Sequence, residues 1–236
     1  MGAIKLLSQL KNYPLFGAGE VTEALSCGER YANLILMRLC QKKIIKRASI
    51  GKYTSCNLAQ TIATNLVTPS YISGWYALRV HNLTEQLPQQ IDVLTTRKKN
   101  DRIISFNQER IVYKTIGKKY LFGYTSEPSE EYIMNLASIE KAVIDSLYFE
   151  LAPLSAIISA IKIGEGKISV EQLGKISLRF KNVQFLKKAG FILDSLGYDL
   201  YPKFKKHLNY NPVIMNRSLC NLLDRSKLKK WGIKCQ

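Results

Sequence analysis

The sequence predicts an α+β fold built in two parts, and three observations carry that reading. The first 56 residues alternate short amphipathic stretches with helix breakers and end in two β-like runs around a glycine. Residues 91–116 hold strand-like runs separated by a turn-forming Asn107-Gln108 pair. From Ser138 onward, apolar residues recur mostly at helical spacing.

In the first part, residues 2–11 are expected to form a helix, with Ile4, Leu7 and Leu10 on one side. Pro14, Gly17 and Gly19 break it. Residues 20–25 give a short second helix with Val21, Ala24 and Leu25 inward. Ser26 is expected to cap a third helix over residues 27–43, and Glu29, three residues later, to complete a capping box. Ala32, Ile35, Leu36, Leu39 and Cys40 make the stripe of that helix that must face a core. Its other face carries Arg30, Asn33, Arg38, Gln41 and Lys42. Arginine can pair bidentately with guanine, and asparagine or glutamine with adenine, in the major groove. Lysines mainly meet phosphates. A merely solvated polar face is the alternative.

Residues 44–46 and 52–54 are short β-like runs bracketing residues 48–51, where Gly51 permits the positive φ of a tight turn. Lys46, Arg47 and Lys52 decorate this hairpin. Three helices followed by a basic hairpin describe an N-terminal winged helix-turn-helix. Its third helix would enter the major groove and its wing would touch the flanking backbone. Winged helices that bind proteins are the other reading.

The second part is expected to be a mixed α/β domain. Residues 57–69 read as a connecting helix or linker closed by Pro69. Ser70 or Ser73 would cap a helix with Tyr71, Trp75 and Leu78 inward, closed by His81, Asn82 and Leu83. Residues 91–95 alternate like a half-buried strand, residues 102–106 and 110–116 read as two more, and residues 120–124 are a candidate fourth. An antiparallel or mixed sheet would join them. Ser138 would cap a helix carrying Ile139, Val143 and Leu147; residues 154–163 form another, ended by Gly164. Ser169 with Gln172 would open a third through Phe180, and residues 182–189 a fourth stopped by Gly190. The expected domains are therefore residues 1–60, a linker at 61–69, and residues 70–236 ending in a basic tail from 201.

Charge points to the partner class. The chain of 236 residues has 35 Lys+Arg against 18 Asp+Glu, a net charge of +17. Such a field attracts polyanions, nucleic acid first among them. Residues 1–60 carry nine basic and three acidic side chains, and residues 201–236 carry nine and one. Residues 126–200 carry eight and ten, so that helical block reads as structural. No run of 18 apolar residues occurs, which excludes a membrane-spanning helix. The charged N-terminus reads as an amphipathic helix rather than a signal peptide, and it lacks the serine or threonine that myristoylation favours. Cys27, Cys40, Cys56, Cys220 and Cys235 contain no C-x-x-C pair, and only His81 and His207 are present, so no zinc spacing emerges. The odd cysteine count argues against a closed disulfide framework and for a reducing, cytoplasmic setting.

Enzymatic chemistry finds little footing. Asp92, on a strand before Arg97, Lys98 and Lys99, is loosely nuclease-like, and Glu140 and Asp145 are the other evident carboxylates. Positions i and i+5 on a helix, however, point about 140° apart, so Glu140 and Asp145 cannot share one ion. No P-loop, Gly-x-Gly-x-x-Gly, Gly-x-Ser-x-Gly or His-Glu-x-x-His motif occurs. The expectation is a protein without catalytic residues, metal or cofactor.

A family resemblance adds to this reading. Residues 71–88, YISGWYALRVHNLTEQLP, run into IDVLTT and the Arg97-Lys98-Lys99 cluster. This order resembles the start of the second domain of AbiEi-type antitoxins, regulators of type IV toxin–antitoxin and phage-defence operons, in which a winged helix precedes it. ASIEKAVIDSL at 137–147 and FLKKAGFIL at 185–193 resemble later parts of that domain, and LKKWGIKC at 228–235 is similar to its closing tryptophan-glycine segment. Residues 201–226 match nothing recognisable there. The resemblance implies an antitoxin that binds double-stranded DNA at its own promoter, represses its operon, and counters a nucleotidyltransferase toxin directly or indirectly. A homodimer or cooperative binding on DNA is the corresponding assembly. Two alternatives stay open: a stand-alone viral or plasmid winged-helix regulator, and a metal-dependent nuclease.

Overall fold

The computed structural model describes residues 3–130 and 132–236, so the expected helix start at Gly2 and the side chain of Ile4 lie outside the described residues. The fold is α+β. It divides into two compact units: residues 1–72, 89–115 and 126–135, and residues 73–88, 116–125 and 136–236.

The first unit opens with α1 (Ala3–Leu10), α2 (Ala18–Leu25) and α3 (Glu29–Gln41), then the antiparallel hairpin of β1 (Lys46–Ser49) and β2 (Lys52–Thr54). Leu6, Leu10, Phe16, Val21, Ala32, Leu36, Leu39 and Ile45 form one buried cluster, with Ile35 and Cys40 packed against its margin. Two local expectations need correction. Ser26 does not cap α3. It sits in the left-handed region at φ 49°, closing α2 through its N–H to the Thr22 carbonyl, and Gly28 takes the N-cap position of α3. The Glu20 carboxylate instead caps α2, accepting from the Gly17 N–H at 2.6 Å. The hairpin also starts later than expected. Lys43 is left-handed at φ 57°, and the Ile44 N–H reaches back to the Leu39 carbonyl at 3.0 Å. That pair of residues ends α3 in a Schellman-type closure and is unavailable to a strand.

Residues 61–69, expected as a linker, hold most of a buried helix, α4 (Ala59–Asn65), and the start of the turn after it. A six-stranded mixed sheet follows, in the order β5-β6-β4-β3-β8-β7. Its strands are β3 (Ser70–Ser73), β4 (Ile91–Thr95), β5 (Ile103–Phe106), β6 (Glu109–Thr115), β7 (Tyr124–Ser129) and β8 (Tyr132–Ala137). β4 pairs parallel with β6, Asp92 opposite Val112, and β5 pairs antiparallel with β6 around Asn107 and Gln108, both at positive φ. The expectation of a half-buried β4 is wrong: all five residues are buried. A central strand with a parallel neighbour is covered on both faces. α4 is among the covers, since Tyr113 Oη donates to the Ala63 carbonyl at 2.8 Å and Thr61 and Ser129 share a 2.7 Å hydroxyl contact.

The second unit is mainly helical: α5 (Gly74–Val80), α6 (Ile139–Phe149), α7 (Leu154–Ile163), α8 (Val170–Arg179) and α9 (Val183–Ser195). Ser138, Ser169 and Asn182 cap α6, α8 and α9 through side-chain oxygens. Ser73 stands at the N-cap of α5, but its hydroxyl donates to Asp145 at 2.9 Å. The expected stop at Gly190 is overturned, because α9 runs through it. Trp231 explains the glycine: a Cβ there would lie 2.1 Å from the indole ring.

The tail adds α10 (Tyr201–Phe204), β9 (Val213–Met215), α11 (Arg217–Asn221), α12 (Leu228–Trp231) and β10 (Ile233–Cys235), with β9 and β10 parallel. Cys220 and Cys235 form a disulfide across this segment, leaving Cys27, Cys40 and Cys56 free. An odd count therefore hid one crosslink, and the inference of a reducing compartment from it loses its support. No described helix is long and apolar enough to cross a membrane.

Candidate nucleic-acid interface

The residues singled out on the third helix share one exposed side. Arg30, Asn33, Arg38 and Gln41 are all exposed on α3, while Ala32, Leu36 and Leu39 are buried opposite them. At about 100° per residue, Arg30, Leu34, Met37 and Gln41 fall within about 60° of each other, with Asn33 and Arg38 on the two flanks. Lys42 is also exposed, but as the C-cap residue it stands just past the helix.

This face is less polar than its charged members suggest. Tyr31 is 54% exposed and Met37 is 49% exposed. Neither is marked by charge, although the same angular arithmetic puts Met37 between Arg30 and Asn33. Apolar atoms at such a position can meet a thymine methyl group.

The hairpin residues divide. Arg47 and Lys52 are exposed, and Arg47 Nε donates to the Ser49 carbonyl at 3.3 Å. Lys46 is half-buried, and its ammonium donates to Asn107 Oδ1 at 2.8 Å. Asn107 in turn donates to the Asn57 carbonyl at 2.7 Å. Lys46 is thus partly committed to holding the hairpin against the β5–β6 turn. At the hairpin tip, Ile50 is 84% exposed and Gly51 has φ +70°. The base of the hairpin gains a third backbone partner: Phe16 and Tyr53 exchange N–H···O bonds of 2.9 and 2.8 Å. Gly17 follows Phe16 so closely under the tip that a Cβ would lie 2.6 Å from the Gly51 carbonyl oxygen. Burial raises the Glu20 pKa, but the hydrogen bonds from Gly17 and its own backbone, helped by Lys52, outweigh that and hold it below the usual value.

The carboxylates weighed for catalysis go to other uses. Asp145 forms a fully buried ion pair with Lys141 and accepts from Ser73. Glu140 accepts from the Ser169 N–H at 2.9 Å. Asp92 is buried in β4, where Gln90 donates to one oxygen at 2.7 Å and the other has no hydrogen-bond partner among the described residues. Burial pushes its pKa up to about 6, against the opposing pull of the Gln90 bond and of Lys114 and Arg110. Among the described residues, no three His, Cys, Asp or Glu side chains converge in a way that would hold a metal ion.

No family model matches the chain, and no curated protein matches it either.

Proposed function

We propose that the chain is a sequence-specific DNA-binding regulator of the AbiEi antitoxin type, acting in the cytoplasm through an N-terminal winged helix-turn-helix. The observation that carries this reading is the exposed side of α3. There Arg30, Asn33, Arg38 and Gln41 stand opposite the buried stripe of a helix that precedes a basic hairpin. A helix of this kind supplies the bidentate donors that major-groove edges require. Arg47 and Lys52 supply phosphate contacts from the hairpin. The net charge of +17 supports capture of a polyanion. Repression of its own operon and neutralisation of a nucleotidyltransferase toxin rest on the family resemblance.

The test is binding of the full chain to duplex DNA from upstream of its own reading frame, with shuffled DNA of equal length as comparison. Preference for the upstream duplex, fading steeply with salt, is expected. Equal and weak binding to both would remove the regulator reading. The toxin part is tested separately, by co-expression with the product of the adjacent reading frame. Growth rescue that survives Arg38→Ala would support an antitoxin activity apart from repression, and its loss would favour the stand-alone regulator.

A further inference from the structure

The basic C-terminal segment surrounds a cavity of about 400 Å³ in the second unit. Lys187, from α9, lines it. The residue is only 2% exposed, and its ammonium donates to the carbonyls of Asn209 and Asn211 at 2.6 and 2.5 Å. An ammonium has three donors. Among the described residues no carboxylate forms an ion pair with Lys187, and burial lowers its pKa. A buried cation held only by carbonyl dipoles is an incomplete arrangement, which an anion would complete.

The rest of the wall fits a particular anion. Lys205 and Lys229 line the cavity, are exposed, and form no ion pair among the described residues. Lys230 is already engaged, at 2.6 Å from Asp194 and 3.0 Å from Asp199. Trp231 is buried with its indole N–H on Asp194, and Tyr201 packs edge-on against it at 5.3 Å. Tyr210 differs: it lines the same cavity yet is fully exposed. A large ring left in water beside unpaired lysines is the arrangement by which single strands are held, with phosphate in a basic groove and base on an aromatic face. A duplex keeps its bases stacked and shows only their edges.

We propose that this cavity binds single-stranded nucleic acid, a backbone phosphate meeting Lys187, Lys205 and Lys229 and the adjoining base stacking on Tyr210. This is a second nucleic-acid site, independent of the duplex reading of α3. It gives the basic tail a role that the family resemblance does not cover.

The experiment measures binding of the full chain to a fluorescent 12-nucleotide oligothymidylate by anisotropy across a salt series. Tyr210→Ala should weaken binding by at least about five-fold, the lower end of what one stacked base contributes. The double variant Lys205→Ala/Lys229→Ala should flatten the slope of log affinity against log salt by up to about 0.7, the share of one phosphate on a single strand. Arg38→Ala should leave this binding unchanged while weakening duplex binding. All these side chains are exposed, so the melting temperature should hold. Unchanged affinity in both cavity variants overturns the proposal. So does a loss confined to the lysine variant, which would mean a phosphate ligand without a base. An equal loss in Arg38→Ala would move the strand to α3 and overturn it as well.

Discussion

The Lys46 ammonium donates to the side-chain oxygen of Asn107 at 2.8 Å, joining the N-terminal hairpin to a turn of the six-stranded sheet. Asn107 reaches on to the Asn57 carbonyl, and Tyr132 Oη donates to the Lys11 carbonyl at 3.0 Å. The N-terminal helices, the hairpin and most of the sheet accordingly fall in one compact unit. A cut near residue 65 would sever each of these bonds, so residues 1–60 alone lose anchors that the apolar cluster of α1 to α3 does not replace.

Asn107→Ala tests that coupling. It removes the bonds to Lys46 and Asn57 together, and exposed hydrogen bonds such as these fall at the lower end of the usual contribution, about 0.5 kcal/mol each. The expected cost is roughly 1 kcal/mol of global stability, with faster amide hydrogen exchange at Lys46–Ser49 than at α3. Asn107 also sits at positive φ, which asparagine tolerates better than alanine, so Asn107→Gly serves as the control for backbone strain. Unaltered exchange in the hairpin of both variants would show that the Lys46 contact anchors nothing.

Gly190→Ala sets helix propensity against packing. Alanine within a helix is favoured over glycine by about 1 kcal/mol. Here the added carbon would lie 2.1 Å from the Trp231 ring, which must move and loosen its 2.9 Å bond to Asp194. Overpacking of this kind costs about 1–3 kcal/mol and occasionally more. The steric term should win by up to about 2 kcal/mol, lowering the melting temperature by up to roughly 8 °C, at about 2–4 °C per kcal/mol for a chain of this size. A melting temperature at or above that of the parent protein would mean the indole has room to retreat.

The same glycine marks the limit of what the sequence discloses. Ser138 and Ser169 are legible as caps because each acts on a residue three positions away, whereas the cap made by Asn182 emerges only in the structure. The exposed side of α3 was legible for a similar reason, since its periodicity is local. Gly190 resembles a helix stop in the sequence because the tryptophan that requires it comes from a distant segment. β3 and β8 are neighbours in the sheet although far apart in sequence, so neither strand is marked by its local sequence. β7 contains Pro128, which argues against a strand until β7 is seen at the sheet edge, where a missing N–H costs little. The hydrogen bond from Lys46 to Asn107 is invisible in the sequence because its partner lies 61 residues away.

Asp92 should make stability depend on pH in an unusual direction. Its folded pKa of about 6 lies above the ordinary 3.8, so folding favours the protonated form. The contribution is fully present below pH 3.8 and is lost as pH rises through 6, the reverse of a salt-bridged carboxylate. Asp92→Asn keeps an oxygen to accept from Gln90 and never ionises. Relative to the parent it should gain stability as pH rises from 4 to 7, reaching on the order of 2 kcal/mol, at about 1.4 kcal/mol per pKa unit. Denaturant melts at pH 4 and pH 7.5 measure the difference. A gap that stays constant between the two would show that Asp92 titrates normally in the folded protein.

The sharpest division of labour is expected within the proposed duplex interface. Arg38 and Asn33 flank the exposed side of α3, where a bidentate pairing with a base discriminates by about 1–3 kcal/mol. Arg38→Ala or Asn33→Ala should therefore weaken binding to the preferred duplex about ten-fold or more, and relax choice at one base pair. Binding to shuffled DNA should change far less. Arg47 and Lys52 lie on the hairpin, where contact is with phosphates. Replacing both by alanine should weaken preferred and shuffled duplexes alike and lower the slope of log affinity against log salt by about 1.8, at 0.9 per phosphate. Lys46→Ala should behave differently from both pairs, because its ammonium is bonded to Asn107. Its main effect should be on hairpin exchange and stability, with a smaller change in salt slope than Arg47→Ala. All of α3's substituted side chains are exposed opposite Ala32, Leu36 and Leu39, so melting temperatures should stay within a degree or two of the parent, as for surface changes within about 0.5 kcal/mol. If Arg38→Ala and Arg47→Ala reduce specific and non-specific binding by the same factor, α3 does not read bases. The chain would then hold DNA through its charge alone.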